Sequence, residues 1–235
     1  MTTHPAVEAA EPAAAGYTLW AVFRRAPGQP GVPGESAASA IDELERAADR
    51  VAAAGVTIRG WYDVSGLRAD ADLMVWLHGD TAETLQAALR ALRRTQLLSQ
   101  LLPTWNALGV HRDAEFNRAH VPGFLRGVEP REWLVLYPFV RDTEWYLLPE
   151  AERGRMLAEH GRLGAQFRGV VANTVASFAL GDYEWLLPLE ADELTELVDL
   201  MRALRATDAR RHMREETPFY TGRRISPAQV AEVLR

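Results

Sequence analysis

The 235-residue chain contains no cysteine. Disulfides, iron–sulfur clusters, thiolate-ligated haem and cysteine–zinc sites are therefore excluded, and any metal must be held by His, Asp, Glu or Tyr. Lysine is absent as well: all 26 basic residues are arginine, a pattern that GC-rich coding produces and that says little about partners. No apolar run reaches the roughly 18 residues of a membrane span. The opening MTTHPAVEAAEPAAAG has neither a basic nor an apolar leader segment, so a cytoplasmic protein is expected. No basic stripe with interleaved aromatics marks a nucleic-acid surface. A P-loop, G-x-G-x-x-G and G-x-S-x-G are also missing, which removes the usual support for nucleotide binding or serine hydrolysis.

What is present is ordinary globular composition, 48% hydrophobic and 25% charged, with a formal net charge of −6. Residues 1–15 are rich in Ala, Pro and Glu and read as a disordered tail. After it, YTLWAVFRR (17–25) reads as a strand and the PGQPGVPG stretch as a loop. A helix is expected from near Ser36 to Gly55, because AASAIDELERAADRVAAAG spaces its apolar residues helically. Strands follow near VTIRGWYDV and ADLMVWLH, and then a helix, TAETLQAALRALRR, with Asp80 as its N-cap. The second half repeats this order. WLVLYPFVR (133–141) is a strand, PEAERGRMLAEHGRLGAQF a helix, VVANTVASFAL and DYEWLLPL strands, and DELTELVDLMRALRA a helix.

Asp80 with LQAALRAL (85–92) falls on Asp192 with LVDLMRAL (197–204) at one constant offset. Both halves read β-α-β-β-α with room for a final strand, which is the ferredoxin-like order. The expected fold is α+β, two ferredoxin-like repeats forming a dimeric α+β barrel within one chain. The halves span residues 16–97 and 132–235, joined by a connector at 98–131. That connector holds Pro103, Pro122 and Pro130 and is long enough to be functional or mobile.

Three side chains between Trp133 and His160 could carry chemistry. Alternate strand residues share a face, so Trp133, Val135, Tyr137, Phe139 and Arg141 point one way. Tyr137 and Arg141 lie about 13 Å apart at roughly 3.3 Å per residue, a span that suits a flat ligand of porphyrin size. Pro138 cannot donate to a ladder, so the strand is expected to be an edge or to be bulged near Tyr137. In the next helix Met156, His160, Leu163 and Phe167 form one stripe expected to be buried. An imidazole there can ligate iron through one nitrogen and donate its other N–H. His120 lies in FNRAHVPGF, and an unperturbed imidazole is suited to moving a proton between peroxide oxygens. From pattern alone each has a plainer alternative: a core tyrosine, an arginine ending a strand, a satisfied core histidine, a solvated loop histidine.

WLVLYPFVRDTEWYLLP, then AEHG, then ALGDYEWLLPLEADELTELVDLMRALRATDARRHMREETPFYTGRR, resembles the coproheme decarboxylases of the chlorite dismutase superfamily, in particular their actinobacterial branch. The resemblance covers nearly the whole chain after the tail. It implies a ring-shaped homopentamer and a porphyrin in the C-terminal half. It also implies conversion of iron-coproporphyrin III to haem b by hydrogen peroxide, the porphyrin being both substrate and redox cofactor. On this resemblance His160 matches the proximal iron ligand, Tyr137 the tyrosine that becomes a radical, and His120 the distal base. Arg141 would pair with a propionate, Trp185 would flank the porphyrin, and Ala209 matches the pocket wall. Phe139 stands where several low-GC relatives carry a basic residue, so propionate anchoring must differ. Arg210, Arg211, Arg223 and Arg224 are further candidates for a tetra-anion or plain surface charge. The competing readings are a chlorite dismutase, which shares His160 but uses a distal arginine and no radical tyrosine; a haem carrier, which needs neither Tyr137 nor His120; and a barrel without cofactor.

Overall fold

The computed structural model describes residues 16–28, 34–112 and 121–235. The tail and His120 lie outside these described residues. The first half runs β1 (Tyr17–Arg25), α1 (Gly34–Ala53), β2 (Thr57–Arg68), β3 (Ala71–Gly79), α2 (Ala82–Leu92), the single turn α3 (Gln96–Ser99) and β4 (Leu101–Val110). A 3-10 turn at Gly123–Arg126 follows. The second half runs β5 (Trp133–Arg141), α4 (Thr143–Leu147), α5 (Glu150–Gly164), β6 (Val171–Ala172), β7 (Val175–Ala176), β8 (Trp185–Ala191) and α6 (Leu194–Leu204). After a 3-10 turn at Asp208–His212 come β9 (Met213–Glu215), β10 (Tyr220–Ile225) and α7 (Pro227–Val233).

All the pairings are antiparallel, and they close on themselves. The order β8-β7-β4-β1-β3-β2-β10-β5 returns to β8 through a β5–β8 ladder running from Trp133↔Ala191 to Phe139↔Trp185. The result is an eight-strand barrel with helices outside. Closure removes the unpaired edges that an open sheet would expose. Two ladders join the halves, β4 to β7 and β10 to β2. Each junction carries a glycine that a larger residue would spoil. A Cβ on Gly109 would lie 2.4 Å from Val175 Cγ2, and one on Gly222 would lie 2.8 Å from Val64 Cγ1.

Strand parity divides the apolar residues into an inner and two outer layers. Trp20, Val22, Tyr62, Met74, Trp76, Leu134, Leu136 and Leu186 form a cluster inside the barrel, joined by Phe124 of the 3-10 turn. Leu19, Ala21 and Phe23 face outward and pack with Ala40, Leu44, Ala47 and Val51 of α1 and Leu85, Ala88 and Leu92 of α2. Val135, Tyr137 and Leu189 face outward in the second half and meet Leu197 and Leu200 of α6. One buried ion pair crosses the interior. Arg59 of β2 donates through Nε and Nη2 to Glu190 of β8, the shortest contact being 2.6 Å, and through Nη1 to Val128 O at 3.0 Å. Removing either partner would strand a buried charge, at a cost of about 3–5 kcal/mol.

Several expectations need correction. The N-cap of α2 is Thr81, not Asp80: Thr81 has extended backbone angles and its Oγ1 accepts from Thr84 N at 3.2 Å. Asp192, the counterpart of Asp80 at the constant offset, accepts from Arg131 at 2.9 Å, and the N-cap of α6 is Glu193. The strand expected over 170–180 is two short pieces. Between them Asn173 turns its side chain inward to accept from Phe124 N and to donate to Glu190, at 2.8 and 3.0 Å. The 98–131 stretch is not all connector, since β4 occupies Leu101–Val110.

β5 is not an edge strand either. It pairs with β8 on one side and with β10 and β9 on the other. Pro138 is tolerated because that second side is interrupted there: β10 pairs up to Leu136 and β9 resumes at Val140. The missing N–H faces a gap in the ladder. The irregularity lies between Val140 and Arg141.

Candidate functional site

A cavity of about 620 Å³ lies between the outer face of β5 and β8 and the helices α5 and α6. It exists because α5 is held away from the sheet. Met156 of α5 joins Trp145 of α4 and Ala209 of the 208–212 turn in a small separate cluster. Only Met156 among the α5 residues is buried, so the expected buried stripe is instead a half-buried one. The helix shows the cavity Gly154, Leu157, Ala158 and Gly161, and a Cβ on either glycine would meet nothing within 4 Å. Glycine inside a helix costs about 0.5–1 kcal/mol relative to alanine, so packing does not explain its presence here.

Five sequence candidates, Tyr137, Arg141, His160, Trp185 and Ala209, line this one cavity. The alternation along β5 brings Tyr137, Phe139 and Arg141 to the same wall. His120 cannot be located among the described residues. Of the four terminal arginines, Arg210 lines the cavity; Arg211 pairs with its neighbour Asp208, and Arg223 and Arg224 are exposed on β10.

His160 is held in one tautomer. Thr207 Oγ1 donates its only proton to Leu204 O at 2.9 Å, so toward His160 Nδ1, 3.4 Å away, it can only accept. Nδ1 therefore carries the hydrogen and Nε2 keeps its lone pair. Burial, and then the nearby Arg141 cation, hold the imidazole pKa below its ordinary 6.5. A neutral ring with a free Nε2 is the form that binds a metal. Among the described residues no group of three or more His, Asp or Glu could hold a bare ion. A single imidazole suits an iron whose remaining ligands arrive with it, and the cavity volume falls within the roughly 300–1,000 Å³ of organic ligand sites. The residues thus fit an iron porphyrin.

Tyr137 is 3% exposed. Its ring stacks on Phe219 at 4.4 Å and its hydroxyl lies 3.5 Å from Met201 Sδ. Burial, and then the Glu216 carboxylate, push its pKa above the ordinary phenol value, so the phenol keeps its proton. Trp185 stacks with Phe139 on the neighbouring strand, 6.1 Å between centroids.

Arg141 is a half-buried cation that forms no ion pair with a carboxylate among the described residues. Its guanidinium lies over Trp145 at 4.1 Å and Nη1 donates to Ala209 O at 3.0 Å. Burial lowers its pKa below the ordinary guanidinium value. Among the described residues the cavity lining contains four more arginines, Arg112, Arg162, Arg205 and Arg210, and a single carboxylate, Glu216. An apolar slot with an arginine rim recognises a flat apolar ligand bearing several carboxylates. Apart from Arg210, these rim residues were missed by sequence reasoning, along with Thr207 and Met201. The glycines of α5, spaced seven apart and so on one helix face, were the available signal.

Comparison with known proteins gives a consistent result. The chlorite dismutase family model matches residues 37–225. The coproheme decarboxylase of Mycolicibacterium smegmatis is 54% identical over 211 residues, covering 89% of this chain and 90% of that protein. Among solved structures, a single-residue mutant of chlorite dismutase from Candidatus Nitrospira defluvii superposes with a TM-score of 0.81 at 24% identity, covering 92% of this chain and 94% of that one. The same organism's enzyme in complex with imidazole also gives a TM-score of 0.81, at 22% identity and the same coverage. These structural matches establish the shared fold.

Proposed function

The chain belongs to the chlorite dismutase family, and we infer that its reaction is the peroxide-dependent decarboxylation of iron-coproporphyrin III to haem b. It is an enzyme of haem biosynthesis, similar along 89% of its length to a coproheme decarboxylase. The observation that carries the finer reading is the convergence of a neutral, tautomer-fixed His160, a buried phenol and an arginine rim on one cavity. A haem carrier needs no buried phenol on its pigment wall. The plain two-ferredoxin barrel is supported as architecture by the strand order, β4-β1-β3-β2 in the first half and its counterpart β10-β5-β8-(β6/β7) in the second.

Each propionate loses carbon dioxide and two hydrogens as peroxide takes up two electrons: R–CH2–CH2–COOH + H2O2 → R–CH=CH2 + CO2 + 2 H2O. Iron-coproporphyrin III supplies the centre at which peroxide is reduced and is itself the substrate. His160 holds it through Nε2, with Thr207 fixing the ring. Arg141 and the other rim arginines pair with propionates, Trp185 and Phe139 offer flat apolar contact, and Ala209 keeps the wall shallow. Tyr137 gives up its phenolic hydrogen atom and recovers one from the propionate β-carbon; a second one-electron loss expels carbon dioxide and leaves the vinyl. His120 moves the peroxide proton from one oxygen to the other. Two reacting propionates on different pyrroles share one tyrosine, so the monovinyl intermediate must turn, which a half-open cavity with several arginines accommodates. The homopentameric ring and a cytoplasmic location are part of this reading; no helix of the described residues is long and apolar enough to cross a membrane.

The test is to load purified protein with iron-coproporphyrin III, titrate hydrogen peroxide and follow the pigment by mass. Stepwise loss of two carboxyl groups is expected, whereas bleaching without vinyl products contradicts the assignment. His160→Ala should lose the histidine-ligated absorption spectrum of the loaded protein; an unchanged spectrum refutes the ligand assignment.

A further inference from the structure

The one carboxylate among the described residues of the cavity lining is already engaged. Glu216, in the connection between β9 and β10, pairs with Arg210 at 2.7 Å and also with Arg205. Its side chain is 12% exposed, while the two arginines keep 39–40% of theirs. All three line the cavity with Tyr137, and after burial it is the Glu216 carboxylate that raises the pKa of that phenol. A carboxylate therefore lines the same cavity as the tyrosine, where a reacting propionate must come. Among the described lining residues five arginines face one acid, so a tetra-anion is attracted and Glu216 is the described acid it would displace.

We propose that Glu216 is an exchangeable stand-in for the reacting propionate, yielding Arg205 and Arg210 to the substrate carboxylate beside Tyr137 and recapturing them once that carboxylate has left as carbon dioxide. This rests on the function proposed above. A propionate brings a fixed negative charge to two half-exposed guanidinium groups and takes over the Glu216 pairing at little net cost. A vinyl group offers the arginines nothing, so Glu216 returns. The exchange makes the pair of arginines selective for unreacted propionate over product vinyl. It also loosens the reacted edge of the porphyrin, as the turning of the monovinyl intermediate requires.

The experiment compares full-length wild type with Glu216→Gln and Glu216→Asp, titrating iron-coproporphyrin III and haem b against tryptophan fluorescence. Removing the competing charge should tighten iron-coproporphyrin III binding by about tenfold and leave haem b binding unchanged, so the ratio of the two Kd values rises. The Asp variant, which keeps the carboxylate, should hold the wild-type ratio. An unmoved ratio in Glu216→Gln overturns the exchange and leaves the function standing. Equal weakening of both pigments with a lowered Tm makes Glu216 a structural brace and also overturns it. Wild type that binds neither pigment overturns the exchange and the function together.

Discussion

The two outer faces of the barrel are covered by the same succession of helices and are used in opposite ways. In the first half α1 sets Ala40, Leu44, Ala47 and Val51 against the sheet, and the space is filled. In the second half α5 buries only Met156, rests on Trp145 and Ala209 instead of the sheet, and leaves about 620 Å³ open. A close-packed interior tolerates few voids, so the second half forgoes stability that the first half keeps. The difference lies in a few residues. Gly154, Ala158 and Gly161 leave room on α5, where α1 carries Ala40, Leu44 and Val51 on its inward face.

Truncation is the strongest way to break this comparison. Leu44→Ala in the filled half should cost about 2–5 kcal/mol, because Leu44 is fully buried. Leu157→Ala, on the cavity side of α5, should cost under about 1 kcal/mol without ligand while weakening iron-coproporphyrin III binding. Denaturant unfolding of both variants checks the contrast; comparable losses would mean that α5 is packed as tightly as α1.

A smaller effect sharpens it, because the sign reverses. Gly161→Ala meets open space, so it should stabilise the ligand-free protein by about 0.5–1 kcal/mol and at the same time reduce pigment affinity. Gly109→Ala should destabilise, since the added Cβ would lie 2.4 Å from Val175 Cγ2 at a junction of the barrel. Thermal melts with and without pigment distinguish a glycine kept for the ligand from one kept for the fold.

Strand parity was legible because a period of two needs no tertiary knowledge: Tyr137, Phe139 and Arg141 share a wall as the sequence pattern requires. The helix bearing His160 was legible for the same kind of reason, but its partner surface was not. Periodicity says which residues share a face; it does not say that α4 and the 208–212 turn hold that face off the sheet. From pattern alone the cavity was therefore expected at the level of three side chains, and the resemblance added Trp185 and Ala209. Arg112, Arg162, Arg205 and Glu216 meet there from segments up to 104 positions apart, and nothing local marks their convergence. Thr207 was hidden because a threonine in a turn is common, and its role depends on where its one proton goes. Pro138 misled because its cost depends on a neighbouring strand that is interrupted opposite it. Thr81 and Asp80 are both competent caps by type, and only the backbone angles decide between them.

The central claim is that the open half binds a porphyrin as substrate and that Tyr137 is the group that removes its hydrogen. Tyr137→Phe keeps the ring, its stacking on Phe219 and the cavity wall, and removes only the hydroxyl. Loaded with iron-coproporphyrin III and given hydrogen peroxide, this variant should retain the bound pigment at its starting mass while wild type loses two carboxyl groups. Vinyl products formed by Tyr137→Phe at the wild-type rate would contradict the account.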